Sequence, residues 1–197
     1  MHKFNRKLLG KLNIATALFL AVLMTGGLLG ANYVLAANTA TQQASTAAAT
    51  TISVVRKAVD AAIATIYFPE GSPGATVSAP YNDVDTSSDP QVLSATVSEP
   101  VVRLKNGSGG TLNVTLQITT WNATDALVAS EDYELETTGT ATINVVNDVL
   151  SADGGAASVD TTTTIAAGVF ADLYLELVLG AAAGKTGNST LTVLGES

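Results

Sequence analysis

The chain reads as mainly β: an antiparallel β-sandwich of the immunoglobulin-like or jelly-roll type, preceded by an apolar N-terminal segment and an Ala/Thr-rich, partly helical arm. Three observations predict this. Beyond Pro69, short β-branched runs are separated by clusters of Gly, Pro, Asn, Asp and Ser, the punctuation of an all-β domain. Residues 112–120 and 173–179 alternate apolar with polar residues or nearly so, the period of a half-buried strand. The 197 residues leave room for one globular domain with an appendage, and the absence of Cys means that its stability must come from a core, a metal or assembly.

Residues 1–36 come first. Residues 1–13 are basic and residues 14–29 (IATALFLAVLMTGGLL) are apolar, about the length of a signal-peptide core. Val34 and Ala36 place small residues three and one positions before a cut, so the mature chain is expected to start near Ala37. An uncleaved anchor competes, because residues 31–37 extend the apolar stretch towards spanning length. A type IV prepilin leader is a third reading. Gly10 followed by Lys11 fits it poorly, and the Glu that bacterial pilins carry five residues into the mature helix is missing.

Residues 37–68 are assigned to the arm. Residues 37–51 (ANTATQQASTAAATT) hold no charge and no large apolar side chain, which reads as a tether. Ile52, Val55, Val59, Ile63 and Ile66 then recur at spacings of 3, 4, 4 and 3, with Arg56, Lys57 and Asp60 off that stripe. The spacing predicts an amphipathic helix ending before Pro69, its apolar face free to pack in an assembly. A competing reading makes residues 52–55 (ISVV) a short strand, since β-branched residues are dense there.

Residues 69–197 are assigned to the sandwich. Besides the two clear strands, weaker ones are expected at 91–97, 101–105, 128–135, 140–146 and 189–194. Turns are expected at 70–74 (EGSPG), 81–90, 106–110 (NGSGG) and 151–155 (SADGG). Trp121 is expected in the core at the sandwich edge.

Charge and residue inventory exclude several functions. Lys3, Arg6, Lys7 and Lys11 stand among the first 36 residues with no acid, so 5 bases face 17 acids beyond, a net charge of −12. Nucleic acid is excluded as a partner because phosphate binding needs clustered Lys and Arg. A membrane contact is expected only through the N-terminal segment, in export or as an anchor. The only imidazole is His2 and there is no thiol, which removes nucleophilic triads and most zinc sites. Glu131, Asp132, Glu134 and Glu136 read as a solvated face rather than a hydrolytic pair. The chain is therefore expected not to be an enzyme, and no cofactor is required.

Asp83, Asp85 and Asp89 gather hard oxygen ligands within a short stretch and are candidate calcium ligands, set against a plain solvated turn. The sequons at Asn106, Asn113, Asn122 and Asn188 are candidate glycosylation sites. Tyr81, Tyr133 and Tyr174 are the aromatics a carbohydrate platform would draw on.

The ending IAAGVFADLYLELVLGAAAGKTGNSTLTVLGES resembles the closing strands of TasA and camelysin-type secreted fibre proteins, and RLKNGSGGTLNVTLQI (103–118) is similar to their middle hairpin. The aromatic-aspartate start often found in that family after its leader is absent. The resemblance implies a secreted, cell-surface or biofilm fibre whose copies are joined by donated N-terminal segments. Open sheet edges accept a strand from a neighbour, and a head-to-tail contact need not close. The expected function is a secreted filament subunit with copies of itself as partners. The alternatives are a pilin-like or anchored subunit with residues 14–66 as a long helix, and a carbohydrate- or ligand-binding module.

Overall fold

The computed structural model describes residues 38–46, 52–57, 60–121, 127–137 and 143–197. Ala37–Ser197 form one compact unit. The leader over 1–36, with its cleavage, anchor and prepilin readings, lies outside the described residues, as do Val59 and Asn122.

Two six-stranded sheets form the unit. The first runs β10 (Ala157–Ile165), β7 (Leu112–Ile118), β12 (Thr186–Glu196), β1 (Asn38–Thr46), β3 (Thr65–Gly71), β5 (Tyr81–Asn82). The second runs β2 (Ile52–Val55), β6 (Val102–Asn106), β11 (Phe170–Leu179), β8 (Val128–Glu136), β9 (Asp148–Ser151), and β4 (Thr76–Val77) also pairs with β11. Consecutive strands alternate between the sheets except at β8 and β9. Most pairings are therefore between residues distant in sequence, which slows folding relative to a hairpin-built sheet.

The alternating residues behave as their period requires. Leu112, Val114, Leu116 and Ile118 turn inward from β7, and Leu173, Leu175, Leu177 and Leu179 turn inward from β11 to join them in one core. Burial of each contributes about 1.5–3 kcal/mol before conformational entropy is subtracted. Trp121 and Phe68 belong to the same core and meet edge to face, 6.1 Å between centroids. Tyr174, on the outer face of β11, is covered by Ile143, Val146 and Leu93, so β11 is buried on both sides there.

The helix over 52–66 is not formed. Ile52–Val55 is strand β2, as the competing reading had it, and Thr65 and Ile66 open strand β3. Among the described residues there is no helix at all. The 3, 4, 4, 3 spacing arises because two separate strands each bury β-branched residues, Ile52, Val54 and Val55 in one and Ile66 in the other. The backbone turns between them through Arg56 N–H to Ala61 O, 2.8 Å. A single helix over 14–66 is ruled out by the same strands.

Four further expectations are corrected. Residues 38–46 are a strand rather than a tether, and its pairing with β12 is the one parallel pairing of strands among the described residues. Residues 91–97 form only a bridge from Val92 to Glu99. Residues 143–146 are not extended into a strand, which comes later at Asp148–Ser151. The stretch 103–118 is not a hairpin either: β6 and β7 lie in opposite sheets, and the NGSGG loop crosses between them.

Candidate assembly site

Strand β1 occupies the interior of the first sheet. On one side it runs parallel to β12 in a register from Thr39 opposite Thr186 to Thr46 opposite Val193. On the other it runs antiparallel to β3, with Ala40 opposite Phe68 and Gln43 opposite Thr65. Without β1 the sheet divides into β10-β7-β12 and β3-β5 and is left with two unpaired inner edges. Asn38, Ala40 and Gln42 turn inward and are buried, while Thr39, Thr41 and Gln43 face outward. A run of Ala, Thr and Gln with no large apolar residue therefore fills a central strand position, held by backbone ladders on both sides and burying Asn38, Ala40 and Gln42 on its inner face.

Polar side chains fix that strand. Asn38 Nδ2 donates to Ala182 O at 3.0 Å and its Oδ1 accepts Lys185 N–H at 2.9 Å, which ties the start of β1 to the loop before β12. Gln42 Nε2 donates to Glu131 Oε1 at 2.8 Å and to Ser189 Oγ at 3.2 Å. Glu131 comes from β8 in the opposite sheet, and its Oε2 accepts the indole N–H of Trp121 at 2.7 Å. The three side chains span the interior between the sheets, and Glu131 is fully buried. Burial pushes its carboxyl up to about 7, against the two donated hydrogen bonds that favour the charged form. Among the described residues Gln42 Oε1 finds no partner.

The four acids expected on a solvated face therefore divide. Asp132, Glu134 and Glu136 stay on the outer face of β8, whereas Glu131 turns into the core. Alternation carries that information from Glu131 onward, since Glu131, Tyr133 and Leu135 are all buried; Val128 is buried out of that phase, across an irregularity in the ladder between Ser130 and Val128.

The remaining candidates are placed as follows. Ile52, Val55, Ile63 and Ile66, the expected assembly stripe, are buried in the chain's own interior. Asp83 accepts Ala64 N–H, the buried Asp85 pairs with Arg56 and Asn82, and Asp89 pairs with Lys57 at 2.8 Å. Each of the three carboxylates thus has its own partner, and they do not converge. Among the described residues no group of three or more His, Cys, Asp or Glu could hold a metal ion.

Asn106 is buried and its amide donates to Gly110 O at 2.8 Å and Ile165 O at 2.7 Å, so it cannot carry a glycan in the folded chain. Its carbonyl accepts Ser108 N–H, which makes it the organiser of the crossing loop. Asn113 is half-buried on β7 and Asn188 is exposed on β12. Tyr133 and Tyr174 are buried, and Tyr81 stacks on Tyr67 at 5.2 Å, so the three tyrosines do not make one open platform.

No protein-family model matches the chain, and no curated protein sequence matches it.

Proposed function

We propose that the protein is a secreted structural subunit of an extracellular filament, which polymerises head to tail by exchange of its N-terminal strand. The observation that carries this reading is the position of β1. It enters the interior of a sheet in parallel to β12, and its withdrawal leaves a slot with two open edges. A slot of that kind accepts a strand of the same sequence from another copy with the same hydrogen bonds, so exchange costs little once β1 is out. The compact unit begins where the expected leader ends, which suits a strand made available by export.

The donated segment is β1 alone on this reading, since Ile52, Ile63 and Ile66 are committed to the core. The body that receives it is an antiparallel sandwich of the immunoglobulin-like or jelly-roll type. The net charge of −12 outside residues 1–36 disfavours collapse into amorphous aggregates and leaves a specific strand contact to direct association.

Electron microscopy of purified residues 37–197, alone and with excess peptide NTATQQAST (38–46), tests the proposal. Fibres that shorten with added peptide are expected. A persistent monomer at high concentration, or fibres indifferent to the peptide, would overturn it.

A further inference from the structure

We infer that Gln42 and Glu131 form a pH-gated latch on the arm: neutral Glu131 holds β1 in its slot, and ionisation of Glu131 loosens β1 and speeds its exchange. The inference rests on the reading of β1 as the donated strand and adds the regulation of that strand.

Gln42 of β1 bonds to the opposite sheet, through Glu131 Oε1 at 2.8 Å. The groups around the carboxyl are Gln42 from β1, Ser189 from β12 by way of Gln42, and Trp121 from the segment after β7. On its own sheet Glu131 stands opposite Leu177 of β11 and Ser151 of β9. None of these is charged. The one charged group that acts on it is the neighbouring Asp132, which disfavours ionisation further. The ion pairs among the described residues leave Glu131 out.

A buried carboxylate without a cationic partner is costly, and the two neutral donors, the Gln42 amide and the Trp121 indole, do not offset the lost hydration. Withdrawal of β1 takes away Gln42 and admits water, which stabilises the ionised form and returns the group towards its ordinary value of 4.5 from about 7. Ionisation and release are therefore linked. Because the seated carboxyl titrates above its free value, the stabilisation is fully present below 4.5 and is lost as pH rises through about 7. The orphaned Oε1 of Gln42 adds to the bias, since release lets water satisfy it. A neighbour's β1 would restore the same contacts, so acidity slows the exchange of strands without favouring monomer over fibre.

The test uses soluble residues 37–197 at a concentration too low to polymerise. Trp121, the chain's single tryptophan, bonds directly to Glu131 and reports its charge by fluorescence. A titration midpoint near 7 is expected in the wild type and none in Glu131→Gln. Amide-exchange protection across β1, corrected for intrinsic rates, should fall at least about tenfold between pH 5 and pH 8, while β7 changes less. Glu131→Gln should flatten the β1 profile. The latch is overturned if wild-type β1 protection is the same at both pH values, an outcome that needs no variant to fold. These readouts do not depend on fibres. A latch without fibres would remove the filament reading alone, and fibres without a latch would remove this inference alone.

Discussion

The side-chain amide of Gln91 stands where a neighbouring strand would stand beside Leu175. Its Nε2 donates to Leu175 O at 2.9 Å and its Oε1 accepts Leu175 N–H at 2.9 Å. On this side β11 pairs with β6 only as far as Leu173 and with β4 only from Leu177. Gln91 fills the gap between them, and it is itself held by Ser78 O on Nε2 and by Pro80 O on its backbone N–H.

Gln91→Ala should therefore destabilise the domain more than a surface substitution does. It leaves the N–H and C=O of a fully buried residue unpaired, at about 1–3 kcal/mol for each group. In a domain of this size each kcal/mol is worth about 2–4 °C. A thermal melt of Gln91→Ala against wild type checks this. Gln91→Glu, which keeps an acceptor for Leu175 N–H and loses the donor to Leu175 O, should also be less stable.

Two glycines should differ in their response to alanine. Gly154 has φ +72°, and a Cβ there would stand 2.5 Å from Val128 O. Gly154→Ala should lower stability by about 1–2 kcal/mol from the left-handed backbone, with the backbone clash in addition. At Gly109 a Cβ meets nothing within 4 Å. Gly109→Ala should be close to neutral, and denaturant titrations of both variants against wild type check the difference.

The domain should melt higher at pH 5 than at pH 8. Glu131, Asp132, Glu134 and Glu176 are all held above their usual range, chiefly by burial. Asp132 and Glu176 also lie opposite each other on adjacent strands, where like charges repel. A carboxyl raised in the folded state binds its proton more tightly there than in the unfolded chain. Its stabilising contribution is thus present in acid and fades as pH rises, through about 7 for Glu131. Calorimetry across that range, with Asp132→Asn as a second sample, checks the sign. The variant should be more stable than wild type at pH 8, and its advantage should shrink as the pH is lowered.

How far the fold could be read from the letters depended on how much of each strand's identity was carried by its own residues. Residues 112–118 and 173–179 announced themselves because a strand with one buried face must alternate. Strand β1 did not, because the demand on it comes from the slot: Ala40 is small and Gln42 answers a carboxylate 89 residues away, and neither leaves a periodic trace. Strand β10 was hidden likewise by ASVDTTTTI, where Thr162 has φ 56° and the ladder shifts between Asp160 and Thr164. At 52–66 the apolar spacing imitated a helix, and the β-branched composition of ISVV was the sounder signal. Of the candidate site, neither β1 as a strand nor Glu131 as its partner was legible. Charged residues crowded on a strand are usually solvated, and only the phase of β8 turns this one inward.

Cysteine cross-linking between Thr41 and Asn188 decides whose β1 fills the slot in a fibre. The two are register partners on the outer face of β1 and β12, and the chain has no Cys of its own. A Thr41→Cys, Asn188→Cys double variant oxidised as a soluble monomer should close within one chain. Oxidised after fibres have formed, it should give a ladder of covalent oligomers on a denaturing gel without reductant. Fibres that yield only internally closed monomers would show that β1 never leaves its own domain.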